Sequence, residues 1–314
     1  VKLRHLLLAA TLLALPAPLH AQEDGLTVLT GLAPIQALAA QITQGTSVTA
    51  LPLTARPAGM PTLLSMLARP DPAREENVAG AEAVIDIAGI WPADPTYPSV
   101  RAANIWTVEI DATQPLDGEA PAIARLAPAR SNPDWRDVAV APATATASHP
   151  WLATTTAINM AEIITRDLKR MAPDDAATLD ANLAALRTDL RRLKAEFETR
   201  FAGLPNFSVY ALTDQFVYLT SELGLYVDGY FLEQDVRWTA EDYAGLTEHL
   251  RARGITTVIH QWEPAAEIVA AIEAAGARLV VLSTGETLRD AGPGAYEALM
   301  RSNFEALYTA LSAS

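Results

Sequence analysis

Among the side chains of the type that holds a divalent cation, His149, His260, Asp214 and Glu263 are the candidates for a shared site. Imidazole nitrogens and carboxylate oxygens are donors that zinc takes in near-tetrahedral sets of four. Manganese takes the same groups as hard ligands. His260, Asp214, Glu263 and also Glu286 follow segments read below as strands, where an α/β fold opens its crevice; His149 precedes a helix. Each has a plainer reading as well. His149 can cap the helix that follows it, His260 and Glu263 can belong to an ordinary polar loop, and an acid near a helix start is favoured in any case. His249, within Glu248-His249-Leu250, reads as a solvated position on a helix. Met60 and Met66 could join His149 in a soft site, but Leu63 to Leu67 is apolar apart from Ser65, which favours core packing. The chain has 314 residues and no cysteine, which excludes disulfides, thiolate sites and cysteine nucleophiles. No Ser-His-Asp set, glycine-rich phosphate loop or paired-carboxylate pattern stands out. Gly285-Glu286 and Gly292-Pro-Gly294 are turn signals. The sequence does not read as an enzyme.

The hydrophobic pattern supplies the elements that must position these groups. Leu26 to Thr30 reads as a strand, Gly31 and Pro34 break it, Ile35 to Ile42 reads as a helix and Val48 to Leu53 as a second strand. Ala83 to Ile87 and Ile105 to Ile110 continue the series. Strand, helix and strand in this order predict a parallel sheet with right-handed crossovers. Residues 111–148 are rich in Ala and Pro without a period and read as loop. Ile158, Ala161, Ile164, Leu168 and Met171 keep a helical spacing. Pro173 with Asp174 and Asp175 then opens another helix. Its stripe runs through Leu179, Leu183, Leu186, Leu190, Leu193 and Phe197, giving a helix of about 27 residues and roughly 40 Å. Strand patterns resume beyond it, so it reads as a strut along two lobes and not as a coiled-coil partner.

The second half repeats the alternation. Strands are expected at 208–212, 225–230, 256–259 and 278–282, with helices at 215–223, 240–253, 264–275 and 295–311. The fold class is therefore α/β: two lobes, each a mostly parallel sheet flanked by helices, joined by a long rigid backbone helix. The expected division is an N-terminal lobe at 22–172, the linking helix at 173–200 and a C-terminal lobe at 201–314. A chain of this length exceeds one typical core, and half its residues are apolar, enough for one core in each lobe. Trp91, Trp106, Trp135 and Trp238 read mostly as lobe-interface packing; Trp151 and Trp262 are expected nearest the cleft.

Lys2, Arg4 and His5 precede an apolar run from Leu6 to Leu15, and Pro16, Pro18 and the small residue Ala21 follow. This is the pattern of a secretory signal, with cleavage near Ala21. The run is about half the ~20 residues needed to span a bilayer, and without cysteine no lipid is attached after cleavage. A soluble periplasmic monomer is expected. Loss of Lys2 and Arg4 takes the formal charge from −14 to −16, which argues against nucleic acid or anionic lipid as a partner.

Across nearly the whole chain after the signal the sequence resembles the zinc/manganese-type periplasmic solute-binding proteins of ABC importers. Val28-Leu-Thr-Gly-Leu-Ala-Pro-Ile-Gln-Ala-Leu-Ala is similar to that family's first strand and helix. His149-Pro-Trp-Leu152, followed by Ala157-Ile-Asn-Met-Ala-Glu162, is similar to its His-x-Trp-Leu motif and helix start. Asp174 to Leu193 resembles its backbone helix, Thr213-Asp-Gln-Phe-Val-Tyr-Leu219 its His-Asp-x-Phe-x-Tyr-Phe segment, and Met300-Arg-Ser-Asn303 its closing helix. The resemblance implies one metal ion in the cleft, zinc before manganese, no other cofactor, and handover to an inner-membrane ABC permease. It also implies four ligand positions, which here are Met66, His149, Thr213 and Ser283. Only His149 keeps a metal-binding side chain, since hydroxyls are weak donors and a thioether suits copper(I). The histidine-rich loop of zinc-specific members is absent from 111–147. The alternative implied is a diverged member that binds no metal tightly and captures another small solute or acts as an accessory protein. A site rebuilt from His149, His260, Asp214 and Glu263 would restore the metal reading.

Overall fold

Short aliphatic strands separated by helices pair in parallel, because each crossover returns the chain to the same end of the sheet. A computed structural model describes residues 25–117, 121–137 and 146–313; the segment read as a signal lies outside them. The first lobe runs β1 (Thr27–Thr30), α1 (Ala33–Ile42), β2 (Thr49–Pro52), α2 (Met60–Leu67), α3 (Pro72–Ala79), β3 (Ala83–Asp86), α4 (Thr96–Ala103) and β4 (Val108–Asp111). Its strands form one parallel sheet in the order β2-β1-β3-β4. Two helices follow, α5 (Thr154–Met171) and α6 (Ala176–Phe201). The second lobe runs β5 (Ser208–Ala211), α7 (Val217–Glu222), β6 (Tyr226–Tyr230), α8 (Ala240–Arg253), β7 (Thr257–His260), α9 (Ala266–Ala274), β8 (Arg278–Val281) and α10 (Ala295–Ser312). Its parallel sheet has the equivalent order, β6-β5-β7-β8. Among the described residues no helix is long and apolar enough to cross a membrane.

The strut expected from the leucine stripe is α6, 26 residues or about 39 Å long. Leu179, Leu186, Leu190, Leu193 and Phe197 are buried, and the helix packs on α1 and α5 at one end and on α10 at the other. Asn182 donates to the carbonyls of Ile42 and Gln44, both at 2.8 Å. Near the far end Arg200 grips Glu305 through two bonds of 2.6 and 2.7 Å.

The core differs from the expectation of one in each lobe. A single apolar cluster runs from Val28, Leu38 and Ile110 through α5 and α6 to Val209, Ile259, Phe304 and Leu307. Smaller clusters lie in each lobe. The stripe of α6 faces both lobes, so their interiors merge along it. The helices α2, α3 and α4 were not read from the sequence; each has only eight residues. The start of α3 was nonetheless legible, since Pro72 lies in its first turn and Asp71 caps the amide of Arg74, a favoured pairing. Strand β4 begins at Val108 and not at Ile105, and Ile105 and Trp106 are exposed.

Beyond Asp111, which ends β4, the described part of the Ala/Pro-rich stretch is free of helix and strand, as expected, but it crosses to the second lobe. The Asn132 amide donates to Tyr230 O at 2.9 Å, and the Tyr230 amide donates to Asn132 Oδ1 at 2.7 Å. The Leu232 amide donates to Ser131 Oγ at 2.8 Å. Trp135 and Arg136 both donate to Asp242, at 3.1 Å each. This strap fastens to the β6 edge and to the start of α8.

Candidate metal site

The carboxyl ends of the strands form the rim where an open parallel sheet binds ligands. In the second lobe Thr213 and Asp214 follow β5, His260 ends β7 and Ser283 follows β8. His149 enters from the other direction, ahead of the 3₁₀ turn Pro150–Leu152 that leads into α5. Trp151 in that turn is fully buried. Its indole N–H donates to Thr284 O at 2.7 Å, and its carbonyl accepts from the Tyr296 hydroxyl at 2.5 Å. Those two bonds lock the turn to the segment between β8 and α10. The imidazole of His149 packs on the indole, with centroids 4.9 Å apart.

This arrangement faces His149 Nε2 toward Glu286 Oε2 across 3.6 Å. Glu286 reaches the position through Gly285, whose φ of +80° is the left-handed conformation that favours glycine. The carboxylate accepts from the Met60 amide at 2.6 Å and from the Thr284 hydroxyl at 3.2 Å. A Cβ at Gly59 would lie in van der Waals contact with the carboxylate, 3.4 Å away. Glu286 thus joins the β8–α10 loop to the start of α2. Burial pushes its carboxyl up, but His149, the Met60 amide and Thr284 together outweigh burial and hold it below its ordinary value.

The imidazole is set to act as a donor. Ser148 Oγ lies 2.7 Å from Nδ1, whereas Nε2 is buried without a hydrogen-bond partner. Ser148 anchors the ring through Nδ1 and leaves Nε2 facing Glu286, and a ring oriented through its other nitrogen is what a ligating histidine needs. Zinc–nitrogen and zinc–oxygen bonds are each near 2.0–2.2 Å, so a 3.6 Å gap corresponds to an angle at the ion of about 120°. His149 and Glu286 therefore fit as two neighbouring ligands of one ion.

The other expected donors form no hydrogen bond or ion pair with His149 or Glu286 among the described residues. His260 is buried, its ring 4.5 Å from that of Trp262 with Nδ1 unpartnered. Burial lowers its pKa to about 4, against a smaller opposing effect of Asp235. Asp214 and Glu263 are exposed. Among the described residues no three His, Asp or Glu side chains converge to hold an ion. Met66 packs half-buried against the main core. Thr213 accepts weakly from the Gln215 amide at 3.4 Å. Ser283 Oγ accepts from the Gly285 amide at 3.1 Å, and its backbone is paired with Asn303.

Three sequence expectations need correction. His149 does not cap α5, whose start has no side-chain cap. His249 is not solvated; it is buried, with its two nitrogens 2.8 Å from Asp134 and Asp228 respectively. A tryptophan role at the lobe interface fails for Trp106, which is 85% exposed, and Trp135 and Trp238 pack in the second lobe's own cluster. Glu286 was noted as an acid near a strand edge and, with Gly285, as a turn signal, but not as a ligand. The signal for its role was a left-handed glycine followed by an acid, three positions beyond Ser283.

The family model of the zinc-uptake complex component A, periplasmic, matches residues 28–310. No curated protein matches the sequence. Among solved structures, a mutant of FpvC from Pseudomonas aeruginosa superposes with a TM-score of 0.74 at 19% identity, covering 92% of this chain and 100% of that one. FpvC in complex with Ni2+ gives 0.67 at 20%, covering 91% and 96%. A zinc-bound deletion mutant of ZnuA gives 0.65 at 19%, covering 93% and 100%. At these identities the likeness concerns the fold.

Proposed function

The chain belongs to the family of periplasmic zinc-uptake component A proteins, and from that premise we propose that it is the metal-binding component of an ABC importer. Members are binding proteins and not enzymes. In this reading the protein works in the periplasm after removal of its signal, holds a divalent ion between the lobes, zinc before manganese, and delivers it to a membrane permease. The observation that carries the reading is the His149–Glu286 pair, an oriented unpartnered nitrogen 3.6 Å from a carboxylate oxygen. His260, Asp214 and Glu263 stay as candidate donors that a change in the cleft would have to bring in. The matched structures with Ni2+ or zinc bound support a metal as cargo.

Calorimetric titration of zinc into chelator-stripped protein tests this. One-to-one binding at micromolar affinity or tighter, weakened in His149→Ala, is the expected result. Absence of heat and of any thermal shift with zinc, manganese or nickel would favour the second reading, a diverged member that carries another small solute or serves as an accessory. The hydroxyls of Thr213 and Ser283 at two expected ligand positions are what keep that reading in play.

A further inference from the structure

A carboxylate can meet an ion through one oxygen or through both, and the neighbours of Glu286 divide its two oxygens. Oε1 accepts from the Met60 amide at 2.6 Å. Oε2 accepts from the Thr284 hydroxyl at 3.2 Å and is the oxygen 3.6 Å from His149 Nε2. One oxygen therefore faces the histidine, while the other is held by the first residue of α2.

That hold comes from a single group. The Thr62 and Leu63 amides both donate to Gly59 O at 2.9 Å, and Pro61 has no amide hydrogen. The Met60 N–H is the donor left at this end of α2, and among the described residues no other acceptor is hydrogen-bonded to it. Turning Oε1 toward an ion would break a bond to a charged acceptor, which is roughly twice as strong as a neutral one. It would also strand the amide, and the protein offers no replacement.

The number of oxygens matters differently to different ions. With one oxygen, His149 and Glu286 supply two donors, half of the four that zinc takes. Manganese prefers an octahedral shell of six, so the same pair fills only a third of it. Gripping with both oxygens suits larger ions with many ligands, as calcium sites show. We propose that Met60 is a positioning residue: its backbone amide fixes Glu286 as a one-oxygen ligand, and this hold favours four-coordinate zinc over six-coordinate manganese. This rests on the metal reading above and adds to it the device that sets the choice between ions.

Infrared difference spectra of zinc-loaded against metal-free full-length protein read the coordination directly. A carboxylate bound through one oxygen splits its two C–O stretches more widely than one bound through both. The wild type should show the wide splitting, and Glu286→Gln should lose it. Met60→Pro deletes the amide hydrogen at the first helical position, where proline is favoured. Gly59 already has the extended backbone, ψ 160°, that a residue before proline adopts. Met60→Leu keeps the amide and changes only the side chain. Zinc affinity is followed by calorimetry, manganese affinity by the paramagnetic resonance of the free ion, and folding by circular dichroism. Met60→Pro should narrow the splitting and lower the ratio of zinc to manganese affinity by about fivefold or more; Met60→Leu should leave both at the wild-type level.

A narrow splitting in the wild type overturns the proposal without any variant. So does a folded Met60→Pro protein that keeps the wild-type splitting or the wild-type ratio, or a Met60→Leu protein that loses them as fully. In each of these cases the metal reading stands. Zinc that fails to bind the wild type, or that binds His149→Ala and Glu286→Gln as tightly, overturns the metal reading and this proposal together.

Discussion

Glu286→Gln changes one charge and almost no volume, so it isolates what the carboxylate does. In the protein without an ion, the carboxylate accepts from the Met60 amide at 2.6 Å and the Thr284 hydroxyl at 3.2 Å, and it faces His149. Hydrogen bonds to a charged partner contribute about 1.5–3 kcal/mol net and neutral ones about 0.5–1.5. Glutamine keeps an acceptor for one of the two and loses the charge on both, so the variant should be less stable by about 1–3 kcal/mol at pH 7. Because the folded carboxyl lies below its ordinary value of 4.5, its contribution is complete above that value. It is lost as pH falls through the lower folded value, so the gap between the proteins should be smaller at pH 3 than at pH 7. Urea unfolding followed by tryptophan fluorescence in excess chelator, at both pH values, measures it. With zinc present the variant should bind at least 100-fold more weakly, about 2.7 kcal/mol. Equal stability at pH 7 together with unchanged zinc affinity would refute the reasoning. A gap of the same size at both pH values would assign the effect to packing instead of charge.

Three further outcomes follow from groups outside that pair. Asp86 is pushed up to about 9 by burial first, then by Asp94, Glu109 and Asp111; the folded state keeps a proton there that the unfolded chain releases, so stability falls as pH rises from about 4 toward 9. Asp86→Asn should flatten that slope and gain about 1–3 kcal/mol at pH 8 in chemical denaturation, and an unchanged slope would count against it. His249→Leu leaves the nearly buried Asp228 with only Arg253, at 3.4 Å, and frees Asp134; a loss of about 2–4 kcal/mol is expected, together with faster proteolysis within residues 121–137, and neither should appear if the contacts are incidental. His260 should titrate near pH 4 by NMR. Since its folded value lies below the ordinary 6.5, it draws stability down as pH falls from about 6.5 to 4; a midpoint near 6.5 would show that the ring is open to solvent.

Much of the fold was legible because period and punctuation agree along the chain. The α6 stripe shows every four or three residues, and Pro173 marks where the preceding helix stops. The strand–helix alternation fixed the parallel sheets. What escaped was short or tertiary in origin. An eight-residue helix such as α4 carries too few turns to show a face, and the merging of the two interiors depends on where α6 lies, which no local pattern encodes. At the site, His149 was found because His149-Pro-Trp-Leu152 resembles the family's His-x-Trp-Leu motif. Glu286 was underweighted because its role depends on a turn that brings it back toward α2. His249 was misread because its two aspartates lie 115 and 21 residues away. A solvated and a buried histidine on an otherwise polar helix look alike until those partners are known.

The strap has a consequence for how copies of the protein meet. Strand β6 is the outermost of its sheet, and such a margin ordinarily offers unpaired amides and carbonyls on which a foreign strand can grow. Here Asn132 already engages both the amide and the carbonyl of Tyr230. A neighbouring chain that tried to extend the sheet on this side would first have to peel away residues 131–136, so lateral polymerisation is blocked at that end of β6 by the protein's own backbone.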